Sequence, residues 1–280
     1  MKKVVFLLLC VALTLSAADR VVGSGSGSGT TAFQKGTYTI VTSFDPDLPS
    51  SAYGMAIQDN VTDRLWIASW GDATTYEFDM STGFATGNTW EITNSIDGDD
   101  MCWCEYTAGA QFFIGDYTFS NIGVWDASGN WLKALAGPAS FSNVFPVAAG
   151  HDMFYTDRSG EMAWGSYTGT ESAITWTVVT SPVPSSYGMA VWGDYLFLCN
   201  GEVGTDNVFI FAINSDGSVN LTPLWSTEFT EDAEGANGAI DYDGTYLYVY
   251  PQNDFVYTLD IDWTPGALEN STWGQIKAEF

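Results

Sequence analysis

The chain has 280 residues, 34 of them acidic against 8 basic, for a formal charge of −26. So large an acidic excess repels phosphate backbones and anionic lipid surfaces, which excludes nucleic acid as a partner class. A hydrophobic share of 46%, with 29 glycines and 12 tryptophans, excludes a disordered chain and leaves enough apolar surface for one large all-β domain or two small ones.

Residues 1–18 read as a secretory signal peptide. Lys2 and Lys3 start it, an apolar run follows over 4–15, and Ser16-Ala17-Ala18 supplies a small-residue cleavage site. The predicted location is therefore secreted, extracellular or periplasmic. The run is too short to anchor in a bilayer, and no later stretch is long and apolar enough, so no membrane span is expected. Loss of Lys2 and Lys3 takes the formal charge from −26 to −28. Residues 19–35 contain GSGSGSG and form a flexible tether. The folded domain is expected over 36–280.

From residue 36 onward, apolar residues alternate or run in short strand-like blocks, and no segment carries a helical period. The phrase YGMAI at Tyr53 returns as YGMAV at Tyr187, and weaker copies start at Met101, Val144 and Asn237. The steps are 48, 43, 43 and 50 residues. Behind each start come a second apolar block (LWIASW, FFIGDY, MFYTDR, LFLCNG, LYVYPQ), a third (TYEFDM, NIGVWDA, EMAWGSY, NVFIFAI, FVYTLDI) and a more variable fourth. Four strands recurring at this period predict the blades of an all-β propeller, five in number near 53–95, 97–139, 143–182, 185–230 and 234–280. Six units with one degenerate copy is the alternative count. Radial stacking also explains why LWIASW and LYVYPQ are apolar on both faces. The segment 37–44 looks like a fourth strand and is expected to close the ring, although 273–280 also reads as a fourth strand for the last blade.

Blade one (YGMAIQDNVTDRLWIASWGDATTYEFDMSTG) and blade five (NGAIDYDGTYLYVYPQNDFVYTLDID) resemble the short repeats of secreted bacterial propellers of the NHL, YVTN and gluconolactonase-like kind. The shared pattern is a small-residue first strand, an Asp-Gly turn, an LYV or LWI second strand and a third strand ending in Asp. The resemblance implies the propeller architecture; such repeats serve many functions, so it implies no single activity. Trp125-Asp126 lacks the Gly-His partner of a WD40 repeat.

In a propeller, the second-to-third and fourth-to-first strand loops share one face, around the channel mouth. The second-to-third loops place Trp70 and Asp72, Asp116 and Tyr117, Asp157 and Arg158, Asn200 and Glu202, and Asp254 there. The fourth-to-first loops add Asp45, Asp47, Asp97, Asp99, Asp100, Glu231, Asp232 and Glu234. Carboxylates gathered on a funnel suit Ca²⁺, with Asp72 and Asp116 as its expected ligands. With Trp70 and Tyr117 they also suit a sugar, stacked on a ring and bonded through its hydroxyls. The plain alternative is that Asp, Asn and Gly make turns. Asp-x-Asp-Gly at Asp241 reads as a hairpin turn, and Cys102, Cys104 and Cys199 as small buried residues.

His151 is the one histidine in the chain and lies in a turn expected on the opposite face. No histidine dyad, phosphate loop or nucleophile motif accompanies it. The expected function is a non-catalytic extracellular binding module for a carbohydrate or a protein, acting through the acidic loop face. The alternative is a carbohydrate-active or lactone hydrolase that uses carboxylates and a divalent cation at the channel mouth.

Overall fold

The computed structural model describes residues 33–263, except 59, 60, 62, 95, 151 and 159. His151 and 273–280 lie outside the described residues. All regular structure within them is β-strand. The chain opens with β1 (Gln34–Lys35) and β2 (Tyr38–Phe44). Blade one is β3 (Ala52–Ile57), β4 (Arg64–Ser69), β5 (Thr74–Asp79) and β6 (Phe84–Glu91). Blade two is β7 (Gly98–Tyr106), β8 (Gly109–Asp116), β9 (Asn121–Asp126) and β10 (Trp131–Ala136). Blade three is β11 (Val147–Gly150), β12 (Met153–Arg158), β13 (Glu161–Ser166) and β14 (Thr177–Thr180). Blade four is β15 (Ser186–Trp192), β16 (Tyr195–Asn200), β17 (Val208–Ala212) and β18 (Trp225–Thr227). Blade five holds β19 (Ala239–Tyr242), β20 (Leu247–Tyr250) and β21 (Val256–Ile261). The first strands touch in the cyclic order β3, β7, β11, β15, β19 and back to β3, so the protein is a five-bladed β-propeller.

The fourth strand of blade five is β2, antiparallel to β21 with Tyr38 opposite Ile261 and Phe44 opposite Val256. Pairing the two ends of the ring turns an open join into a hydrogen-bonded ladder and covers the free edge of β21. β1 adds a second stitch, parallel to β18 in blade four. Asp262 ties the two together: its Oδ1 accepts from Thr37 N at 2.9 Å and from Trp225 Nε1 at 2.8 Å.

Five hydrophobic clusters account for the stability of the ring, one per blade boundary. Trp66 of blade one meets Trp103, Phe112 and Trp125 of blade two; Phe113 of blade two meets Phe154 and Tyr167 of blade three. Tyr155 meets Leu198 and Phe211, Phe197 meets Tyr242 and Leu259, and Ile67 with Phe78 meets Tyr248 and Tyr250. A four-stranded meander cannot bury both faces alone, and large flat rings fill the wedge between neighbouring blades.

The repeated Tyr-Gly-Met-Ala phrase now has a physical meaning. A Cβ built on Gly54 would stand 2.4 Å from Asp99 O, and one on Gly188 would stand 2.4 Å from Gly238 O. Both glycines let the next blade's first strand approach main chain to main chain. Met55 and Met189, beside them, are fully buried. Polar ties cross the same boundaries. Val147 N donates to Asp100 Oδ2 at 2.8 Å, Ile57 N to Asp241 Oδ2 at 2.7 Å, and Cys199 Sγ to Gly238 O at 3.3 Å.

Candidate functional site

One aligned position at or beside the end of each second strand holds a polar or turn-forming residue: Ser69, Asp116, Asp157, Asn200 and Pro251. These residues are structural. Ser69 Oγ donates to Ser51 O. Asp116 has no exposed surface, and its Oδ1 accepts from the N–H groups of Thr118 and Phe119 at 2.9 and 3.1 Å. Asp157, equally buried, accepts from Ser186 Oγ across the blade boundary at 2.5 Å. Asn200 Nδ2 donates to Pro184 O, and Asn200 Oδ1 accepts from Glu202 N. Burial pushes the Asp157 carboxyl up to about 7 against the pull of Ser181, Ser186 and Arg158, and it raises Asp116 as well. Desolvation, which disfavours the charged form, is the main cause in both; repulsion among converging carboxylates is not.

The next residue in each blade stands one step further toward solvent: Trp70, Tyr117, Arg158, Gly201 and Gln252. These positions surround the mouth. A second set comes from the entries of the first strands, where the ladder register shifts in blades one, two and four. A bulge there re-aims a side chain. It frees Tyr53, Asp99 and Tyr187 from the alternation of their strands; Phe145 and Asn237 hold the corresponding places in blades three and five.

The two sets meet. Tyr53 stands edge-on to Trp70, with ring centroids 6.3 Å apart, and its hydroxyl accepts from Gln252 Nε2. Phe145 lies 5.4 Å from Tyr117 and 6.3 Å from Tyr187. The Tyr53 hydroxyl is held above its ordinary pKa, first by burial and then by the nearby Asp99, Tyr117, Tyr187 and Glu234. Asn237 Nδ2 donates to Glu234 Oε2 at 2.7 Å. Beside Tyr187, a cleft of about 420 Å³ between blades four and five is lined by Glu202, Glu234 and Asn237. That volume falls within the rough range of 300–1,000 Å³ seen for small-molecule pockets.

Blade three supplies the cation. The Arg158 guanidinium lies over the Phe145 ring at 3.9 Å from its centroid, and its Nε donates to Asn143 Oδ1 at 2.7 Å. Asn143 is in turn fixed by donating to Tyr117 O at 2.6 Å. Asp99, almost wholly buried nearby, is pushed up to about 7 by burial, opposed by Arg158 and reinforced by Asp97.

The nine residues expected from the sequence thus separate. Trp70 and Tyr117 are exposed, Arg158 lies over Phe145, and Glu202 lines the cleft. Asp116, Asp157 and Asn200 turn inward to hold loops and blade boundaries. Asp72 and Asp254 each accept a hydrogen bond from a tyrosine of the following strand, Tyr76 and Tyr257. The Asp116 carboxylate faces its own turn amides and that of Asp72 faces a phenol. Among the described residues no group of three or more His, Cys, Asp or Glu is placed to hold a metal ion. Tyr53, Phe145, Tyr187, Asn237 and Gln252 were not among the expected site residues. The recurrent Tyr-Gly phrase was their one visible signal.

No family model and no curated protein matches this chain. Solved structures do share its fold. Glutaminyl cyclase from Myxococcus xanthus is 8% identical over 81% of this chain and 97% of that one, with a TM-score of 0.58. The WD40 propeller domain of Doa1 is 12% identical over 74% of this chain and 62% of that one, with a TM-score of 0.45. At such identities the likeness is one of architecture.

Proposed function

We propose that this propeller is a secreted, non-catalytic binding module whose ligand face is the channel mouth, and that the ligand is a carbohydrate. The observation that supports this is the convergence of Trp70, Tyr53, Tyr117 and Tyr187, backed by the buried ring of Phe145, beside Glu202, Glu234 and Asn237. Flat rings stack on the apolar face of a pyranose, and carboxylates and amides bond its hydroxyls. The repeat resemblance to secreted propellers and the leader-like residues 1–18 agree with an extracellular role. Titration with neutral cello- and galacto-oligosaccharides, followed by tryptophan fluorescence, tests the reading. Saturable binding that weakens at least tenfold in Trp70→Ala or Tyr187→Ala is expected, with no new reducing ends. Absence of binding to any oligosaccharide overturns it.

One observation favours a second reading. A carboxyl held near 7, as in Asp99, suits a general acid at neutral pH. A hydrolase would release reducing ends or open a lactone, and Asp99→Asn would abolish that turnover. Asp99, Asp116 and Asp157 are all buried, which favours binding over turnover because a substrate does not reach them.

A further inference from the structure

We propose that Arg158 is a recognition site for a single carboxylate, so that the carbohydrate bound at the mouth is an acidic sugar of the uronic acid class; this rests on the carbohydrate reading above. The argument starts from charge. The chain carries 34 acidic residues against 8 basic ones, and four of the basic ones fall among the described residues. Three of these four are engaged by the protein itself. Lys35 stands 3.3 Å from Asp206, Arg64 stands 3.5 and 3.6 Å from Glu77 and Asp79, and Lys133 donates to Glu171 O at 2.6 Å. Arg158 forms no salt bridge with a described residue, although carboxylates outnumber cations several-fold.

Its setting is rigid. One face of the guanidinium lies on Phe145, and Nε is committed to Asn143, which is itself anchored on the Tyr117 carbonyl. The two terminal nitrogens remain. Their parallel N–H pair matches the two oxygens of a carboxylate, and a guanidinium immobilised in advance loses little entropy on binding. Phe145 also contacts Tyr187, the ring that lines the cleft, so the cation and the stacking surface share one wall. Asp97, Asp99 and Asp157 act electrostatically on this neighbourhood. Against that background one guanidinium offsets one negative charge. A carboxylate on an otherwise neutral, hydroxylated ring fits both parts of the site.

The test compares two probes that differ at C6: oligogalacturonate, which carries carboxylates, and the galacto-oligosaccharide, which does not. Both are titrated into the full chain and into Arg158→Gln and Arg158→Lys, with melting curves to show that each variant is folded. The wild type is expected to prefer oligogalacturonate at least tenfold. Arg158→Gln should remove that preference while leaving the neutral sugar unchanged, and Arg158→Lys should restore only part of it, because an ammonium lacks the planar fork. Equal binding of both probes, or equal loss of both in Arg158→Gln, overturns the carboxylate assignment and leaves the carbohydrate reading standing. Binding of neither probe overturns both. Arg158-dependent binding of a poly-glutamate peptide, with no uronate binding, would assign the carboxylate to a protein and overturn the sugar assignment.

Discussion

Single residues in this propeller are placed by how close the blades come. Gly54 and Gly188 each face a main-chain oxygen of the next blade at 2.4 Å from a would-be Cβ. The neighbour is backbone in a paired strand and cannot swing away. Gly54→Ala is therefore expected to lose about 1–3 kcal/mol through overpacking. In a domain of this size that lowers the melting temperature by roughly 2–4 °C per kcal/mol. An unchanged calorimetric melting temperature would show that the boundary is loose. A second residue-scale prediction concerns Asp157. Its ordinary pKa of 3.8 is raised to about 7 by burial. The folded state therefore holds a proton that the unfolded chain releases from about pH 4. This contribution is complete below pH 4 and is lost as pH rises through 7, worth at most ~4 kcal/mol. Asp157→Asn should flatten the fall in melting temperature between pH 4 and 7. The same slope in the variant and the wild type would mean that Asp157 titrates as it does in water.

Strands are placed by partners that lie far away in sequence. β2 and β21 are separated by more than two hundred residues, yet every described residue between them is enclosed by their pairing. The motif needs alternation on β2 and a free edge on β21, and both are present. The 37–44 text was legible as a fourth strand because it repeats the text that precedes blade four. The expectation that it closes the ring is met by its pairing with β21. A chain beginning at residue 45 should melt several degrees lower or more, because it leaves β21 as an exposed edge and removes the Asp262–Thr37 contacts. The Asp262→Ala substitution should lower the melting temperature by a smaller amount, since it also orphans Trp225 Nε1. Identical melting curves for the truncated and full chains would show that the ring does not depend on this strand.

At the scale of the whole molecule, the proposed binding draws on loops from several blades. The mouth gathers rings from blades one to four and polar groups from blades two to five. A ligand that touches several blades should therefore stabilise the ring as a unit. With free oligosaccharide at a hundred times its dissociation constant, the gain is about 2.7 kcal/mol if only the folded chain binds. Thermal shift should rise with the logarithm of concentration, and the rise should vanish in Trp70→Ala combined with Tyr187→Ala. A shift that survives both substitutions would move the ligand face elsewhere.

The sequence by itself determined the strand repeat and pointed to five blades, with six as the alternative count. Those properties follow from local alternation, turn residues and the period between copies, all of which are written along the chain. The tertiary structure alone decided which polar residues are buried and which reach solvent. Asp116 and Arg158 look alike as loop-end polar residues, yet one ends inside a turn of amides and the other on a phenyl ring at the mouth. That difference arises from one step of strand alternation together with the bulges that shift the first strands. Tyr53 and Tyr187, 134 residues apart, lie on one rim only because the ring closes. No local pattern carries that distance; it is set by the packing of five apolar blade faces against one another.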